Sequence, residues 1–252
     1  MRFAIKFAYD GRNFHGYARQ LKLQTVEGDL IRFLVKNGII EDTKESIFRS
    51  ASRTDKNVSA LANVASFNSD MTQKNIFQII VNESSPILFY GIKTVGPDFN
   101  PRYAKIRQYR YYLKTEKLDI DKIIKTSASF TGEHDFTNFV RLESFRKPIR
   151  NIENIIFSHY NNYLVIDFYA QTFLWHQIRR IISALIKLGS GKIEKENIVK
   201  ALELPDEEVD FGLAAPEPLI LMEIQYDFEF DYDKKQLKKI EKLEKSIIKS
   251  LN

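Results

Sequence analysis

Apolar residues in this chain switch twice between a repeat of two and a repeat near 3.6, each time in strand-to-helix order, and that rhythm most restricts what the chain can fold into. Phe3, Ile5, Phe7 and Tyr9 alternate over residues 2–10 as one face of a strand. Thr25 stands where an N-cap belongs, ahead of Val26, Leu30, Phe33 and Leu34 at helical spacing, and Asn37-Gly38 ends that run. Further strands are expected over residues 47–51, 63–67 and 87–95, and a helix over 74–82. The resulting β-α-β-β-α-β order is the split arrangement of ferredoxin-like sheets.

The run Gly96-Pro97-Asp98-Phe99-Asn100-Pro101 is rich in turn formers and marks the expected boundary between domains 1–97 and 98–252. A second series follows. Strands are expected over 110–114, 152–159, 164–170 and 219–228, and helices over 120–130, 174–188, 195–204 and from Asp233 onward. The stretch 132–139 reads as a packing turn. The final helix has Ile240, Leu243, Ile247 and Leu251 at helical spacing with lysines outside, which describes a solvated helix with an apolar docking face. The expected fold class is α+β: two related ferredoxin-like halves with mixed, mainly antiparallel sheets.

With 252 residues, 44% of them hydrophobic, the chain can bury a substantial core. It has no cysteine, which excludes disulfides and thiolate metal sites. No apolar run is long enough to span a bilayer and nothing at the start resembles a secretory leader, so a cytoplasmic soluble protein is expected. The net charge of +5 fits a polyanionic partner, and the 19 Phe and 12 Tyr supply rings, several of them beside Arg or Lys. Rings stack on unpaired bases while cations hold phosphates, so this pairing suits single-stranded or flipped nucleotides.

Chemistry is concentrated in a few words. Ser52-Arg53-Thr54-Asp55-Lys56-Asn57-Val58-Ser59-Ala60 places a carboxylate two residues after an arginine on a polar loop between two strands. Positions two apart on extended backbone share a face, so the two charges could pair. Such an Asp can be a nucleophile, a metal ligand or a turn former. A metal-dependent nuclease needs clustered carboxylates, and no acid lies closer in sequence to Asp55 than Glu45. Arg102, Tyr103, Arg107, Tyr109, Arg110 and Tyr111 form an aromatic-basic patch, with Tyr109 and Tyr111 on one strand face and Arg110 on the other. Its two readings are base stacking with phosphate contact, and a half-buried tyrosine ladder.

On the expected helix from Leu174, the apolar stripe runs through Trp175, Ile178, Ile182, Leu185 and Ile186, with Arg179 on it and Arg180 beside it. A buried guanidinium must meet a carboxylate or open into a site. His176 is structural or RNA-facing, since none of the four histidines (His15, His134, His159, His176) has a partner at metal-ligand spacing. Arg12 and His15 lie in a flexible polar segment that is either a hairpin loop or an RNA contact. There is no glycine-rich phosphate loop and no dinucleotide fingerprint.

In order, Tyr9-Asp10-Gly11, Arg53-Thr54-Asp55, Arg102, Arg107-Gln108-Tyr109-Arg110-Tyr111, Asp135-Phe136, the run from Phe173 to Ile182, and Ala215-Pro216 resemble the TruA family of tRNA pseudouridine synthases over nearly the whole chain. Lys56 and Ser59 look like archaeal or eukaryotic members. The resemblance implies the pseudouridine synthase fold with a basic RNA-binding cleft, usually in a homodimer, and tRNA as the partner. It implies isomerisation of uridine to pseudouridine in the anticodon stem-loop, at tRNA positions 38, 39 and 40 in the family. Asp55 matches the family's nucleophile, Arg53 the arginine paired with it, Tyr109 the tyrosine over the target base, and Arg179 the arginine near the carboxylate. Substrate contacts are expected from Tyr109, Arg110, Arg102, Arg107, Arg12, His15, Lys56, His176 and Arg180. No cofactor, metal, nucleotide or membrane is expected to take part. The alternatives are a tRNA-binding protein without catalysis and a synthase acting on another RNA.

Overall fold

The computed structural model describes residues 1–142 and 147–251. The chain forms two compact units, residues 1–105 joined by 220–252, and residues 106–219.

In the first unit, β1 (Arg2–Tyr9), β2 (Arg49–Ser50), β3 (Ser59–Asn68) and β4 (Leu88–Val95) are joined through α1 (Val26–Lys36) and α2 (Gln73–Asn82). β1 lies between β3 and β4, antiparallel to both, with Phe3 opposite Phe67 and Ile5 opposite Ala65 and Ile92. Thr25 caps α1 by accepting from the Gly28 amide, and Thr72 caps α2 from Asn75. Asn37-Gly38, with Gly38 at positive φ, ends α1. The expected strand over 47–51 shrinks to two residues, because Ile47 adopts a left-handed conformation and breaks the extended run.

Every residue of β1 is buried, on both faces. One face packs Phe3, Ile5 and Phe7 among Phe67, Phe89 and Phe33, whose ring lies 4.8 Å from Phe89. The other is covered by the end of the chain. After β10 (Leu219–Gln225), which runs parallel to β3, come β11 (Asp231–Tyr232) against β4 and α6 (Lys234–Lys249). Lys6 is buried there. Its ammonium meets Glu223 at 2.5 Å and lies over the Phe230 and Tyr232 rings at 5.4 and 5.7 Å, which supplies the compensation a buried cation requires.

In the second unit, β5 (Ile106–Lys114), β8 (Asn154–Tyr160) and β9 (Tyr163–Ala170) form an antiparallel sheet with β9 in the middle. α3 (Ile120–Ser127), α4 (Gln177–Gly189) and α5 (Lys195–Glu203) complete its core. The stretch read as a packing turn holds a strand, β6 (Gly132–Asp135), paired with β7 (Ile149–Ile152). Its polar sequence hides it: Gly132, Glu133, His134 and Asp135 carry no apolar alternation. The fold is α+β with mainly antiparallel strands, as the periodicity implies.

Candidate functional site

Asp55 sits on the loop between β2 and β3, which follows a buried run, Ser50 to Ser52. Ser50, Ser52 and Thr54 are buried, while Arg53 is exposed and Asp55 half-buried. Each of these three is held by a different buried group. The Tyr17 hydroxyl donates to Ser50 Oγ at 2.6 Å, and the Asn63 amide donates to the Ser52 carbonyl at 3.0 Å. Tyr9 and Thr54 share a hydroxyl hydrogen bond of 2.9 Å, and the Tyr17 backbone amide donates to the Thr54 carbonyl. Burial pushes the Tyr17 phenol far up, so it stays a neutral donor. Asn57, at φ 68, turns the chain after Asp55, a conformation asparagine tolerates.

A second loop, residues 10–17, is pressed onto this one. A Cβ on Gly11 would lie 2.3 Å from the Val58 carbonyl oxygen, so only glycine fits. The Gly11 amide donates to Ser59 Oγ at 3.0 Å. Asp10 caps the following 3-10 turn and takes a two-point ion pair from Arg12, at 2.9 Å from Nε and 2.5 Å from Nη2. Burial opposes ionisation of Asp10, yet the Arg12 hydrogen bonds leave its carboxyl below the ordinary range. Arg12 is therefore oriented and still exposed. His15, Lys56 and Arg53 are exposed as well.

In the second unit, Tyr109 of β5 is 8% exposed and meets Phe173 edge to face, with ring centroids 5.4 Å apart. Tyr111, on the same strand face, donates to the Ala215 carbonyl at 3.1 Å. Burial raises its phenol, and the Arg179 charge opposes that. Arg179 is 9% exposed; its Nε donates to the Ala214 carbonyl at 2.8 Å, and its own carbonyl accepts from the Ala214 amide. The buried guanidinium anticipated from the helical stripe is thus clasped by the segment containing Ala215-Pro216. Arg180 donates to Asp210 at 2.9 Å.

α4 begins at Gln177, three residues later than the stripe suggests. His176 takes a left-handed conformation, φ 66, so Trp175 lies outside the helix. Trp175 is 41% exposed, with the Arg141 guanidinium 4.3 Å from its ring centroid. It is therefore not part of the core stripe. The Gln177 side chain accepts from the Leu174 amide and closes this turn. Arg107 is buried and donates to the Gln171 carbonyl; Arg102 is exposed. Arg110, on the opposite strand face from Tyr109, makes a two-point pair with Asp167 at 2.9 Å for each contact. Among the described residues no three His, Asp or Glu gather as a metal site, and no helix is long and apolar enough to cross a membrane.

Sequence reading missed Tyr9, Tyr17 and Asn63 as supports of the Asp55 loop. The one signal for them was an amide residue inside an otherwise apolar strand run.

The pattern of the tRNA pseudouridine synthase family matches residues 127–227. The curated protein tRNA pseudouridine synthase A of Thermococcus sibiricus is 42% identical over 96% of this chain and 91% of its own. Its namesakes in Thermococcus kodakarensis and Methanothermobacter thermautotrophicus are 39% and 37% identical, covering 95% and 89% of this chain and 90% and 81% of theirs. The chain belongs to the tRNA pseudouridine synthases, a family of isomerases. These three relatives are archaeal proteins called tRNA pseudouridine synthase A.

Proposed function

We propose that this protein converts uridine to pseudouridine in the anticodon stem-loop of tRNA, with Asp55 as the nucleophile. The observation that carries the reading is the anchored loop: three buried hydrogen-bond supports fix Ser50, Ser52 and Thr54, beside an exposed Arg53 and a half-buried Asp55. The relatives' names supply the substrate class.

The reaction breaks the bond between N1 of uracil and C1′ of ribose, rotates the base and joins C5 to C1′. The C5 proton leaves and N1 gains one, so atoms and oxidation state balance without water or an external electron donor. The Asp55 carboxylate forms the transient adduct, or holds the developing cation, that lets the first bond break. The target base must leave the stack to be reached, and an aromatic ring and cations compensate for that loss. Tyr109 covers the base, Arg53 and Arg179 hold the nucleotide, and Arg12, Lys56 and Arg102 meet flanking phosphates.

The test is release of tritium from C5-labelled uridine in tRNA. Wild type should release it and Asp55→Ala should not, with tRNA binding retained by both. Binding without release by wild type would show a tRNA-binding protein without catalysis. Equal release by both would remove Asp55 from the chemistry.

A further inference from the structure

We infer that the exposed face of α6, remote in sequence from every residue assigned above, is a docking surface for the sugar-phosphate backbone of the RNA substrate. The inference rests on the reading of the substrate as tRNA and adds to it a second place of contact.

The whole net charge of the molecule resides on this one helix. α6 carries seven lysines and two glutamates. That leaves 31 of the chain's 38 Lys and Arg against 31 of its 33 Asp and Glu, so everything outside α6 is neutral. The lysines are not spread around the helix. At 3.6 residues per turn, Lys234, Lys245, Lys238, Lys249, Lys242, Lys235 and Lys239 fall in that order within an arc of about 140°. All seven are exposed. Glu241 and Glu244 lie outside the arc, and Ser246 is the one other residue within it. None of the seven lysines forms an ion pair among the described residues.

An ordinary solvated helix places acids one turn from its lysines, because opposite charges at that spacing stabilise it and like charges destabilise it. Here Lys234 and Lys238, Lys238 and Lys242, Lys235 and Lys239, and Lys245 and Lys249 repel at that spacing, and only Glu241, one turn from Lys238 and from Lys245, offsets them within the helix. Such a stripe, about 24 Å long, suits a linear polyanion. The opposite face is not available for insertion into lipid: Gln236 and Ile247 are buried, Gln236 donates to the Val81 carbonyl, and the helix packs on β4 and β3. A membrane-surface helix needs that apolar face free. RNA phosphate is therefore the favoured occupant.

The test neutralises one row of the stripe in the full-length protein, Lys234→Gln, Lys238→Gln, Lys242→Gln and Lys245→Gln together. Glutamine forms helix about as well as lysine, and removing repulsion should leave thermal unfolding unchanged or raise it. Binding of full-length tRNA is followed against salt. Each lost phosphate contact lowers the slope of log affinity on log salt by about 0.7–0.9, so the slope should become shallower by about three. The dissociation constant at low salt should rise by ten- to a hundredfold, with turnover at saturating tRNA unchanged. A slope equal to wild type overturns the inference. So does loss of binding to phosphatidylserine vesicles with the tRNA slope intact, which would assign the stripe to a lipid surface. Binding is read without turnover: a wild type that releases no tritium while the slope still changes would sink the synthase reading and leave the docking surface standing.

Discussion

Asn63 is fully buried among the apolar residues of β3, and its amide leaves the sheet to hold the Ser52 carbonyl three residues before Asp55. Its oxygen accepts from the Val64 amide, so both ends are used. Asn63→Ala strands a buried carbonyl, which costs about 1–3 kcal/mol. Tyr9→Phe removes the hydroxyl that Thr54 shares at 2.9 Å and that the Asn63 amide reaches at 3.5 Å, a loss of neutral hydrogen bonding worth about 1 kcal/mol. Because both act on the loop rather than on RNA, turnover should fall while KM for tRNA holds. Tritium-release kinetics beside thermal unfolding check this; unchanged turnover in a destabilised Asn63→Ala would show that the loop keeps its place without the amide. Asp55 and Arg53, the residues proposed to carry the chemistry, stand out in the sequence because they form a contiguous word. Their supports were not, because a tyrosine in a strand looks like core whether or not its hydroxyl is used. Asn63 did break an apolar run, but nothing in the sequence names Ser52 as its partner.

At the level of elements, helices were legible wherever a cap and a stripe coincide, as at Thr25 before α1 and Asp233 before α6. α4 shows the limit. Its stripe extrapolates back to Leu174, but the chain turns left-handed at His176, which no periodicity reveals. A non-glycine residue there costs about 1–2 kcal/mol. His176→Gly should therefore leave thermal stability equal or higher while lowering kcat/KM, if the histidine is kept for RNA. A parallel loss of both would make it structural. The segment after α5 offers a pH prediction. The Gly212 amide, and then Arg180, hold the Asp210 carboxyl below its ordinary value of 3.8. A carboxyl depressed in the folded state contributes its stability in full above the unfolded value and loses it as pH falls through the folded one. The contribution should thus be complete above about 3.8 and disappear beneath it. Asp210→Asn should remove that part of the acid response, read as the pH dependence of the Gly212 amide resonance.

For the molecule as a whole, the periodic pattern conveyed the fold class but not the path of the chain. Residues 220–252 return to the unit begun by residues 1–105, and a pairing across more than a hundred residues leaves no local trace. The return is structural. β10 occupies the edge of β3 with Ile220 beside Ser59 and Leu221 beside Ala60, just after the Asp55 loop, and Glu223 compensates buried Lys6. A chain ending at residue 105 would leave the edges of β3 and β4 open, Lys6 without its carboxylate and rings, and the aromatic cluster of Phe99 with Tyr226 and Phe228 unmade. Open apolar edges of that kind pair with other chains. A fragment of residues 1–105 should therefore be aggregation-prone and show no cooperative unfolding, whereas the whole chain should unfold cooperatively. A soluble, cooperatively unfolding fragment would mean that the terminal segment is an accessory. The same reasoning bears on α6, whose deletion would strip β4 of its cover and confound lost phosphate contacts with lost folding; replacing lysines one for one keeps the two effects apart.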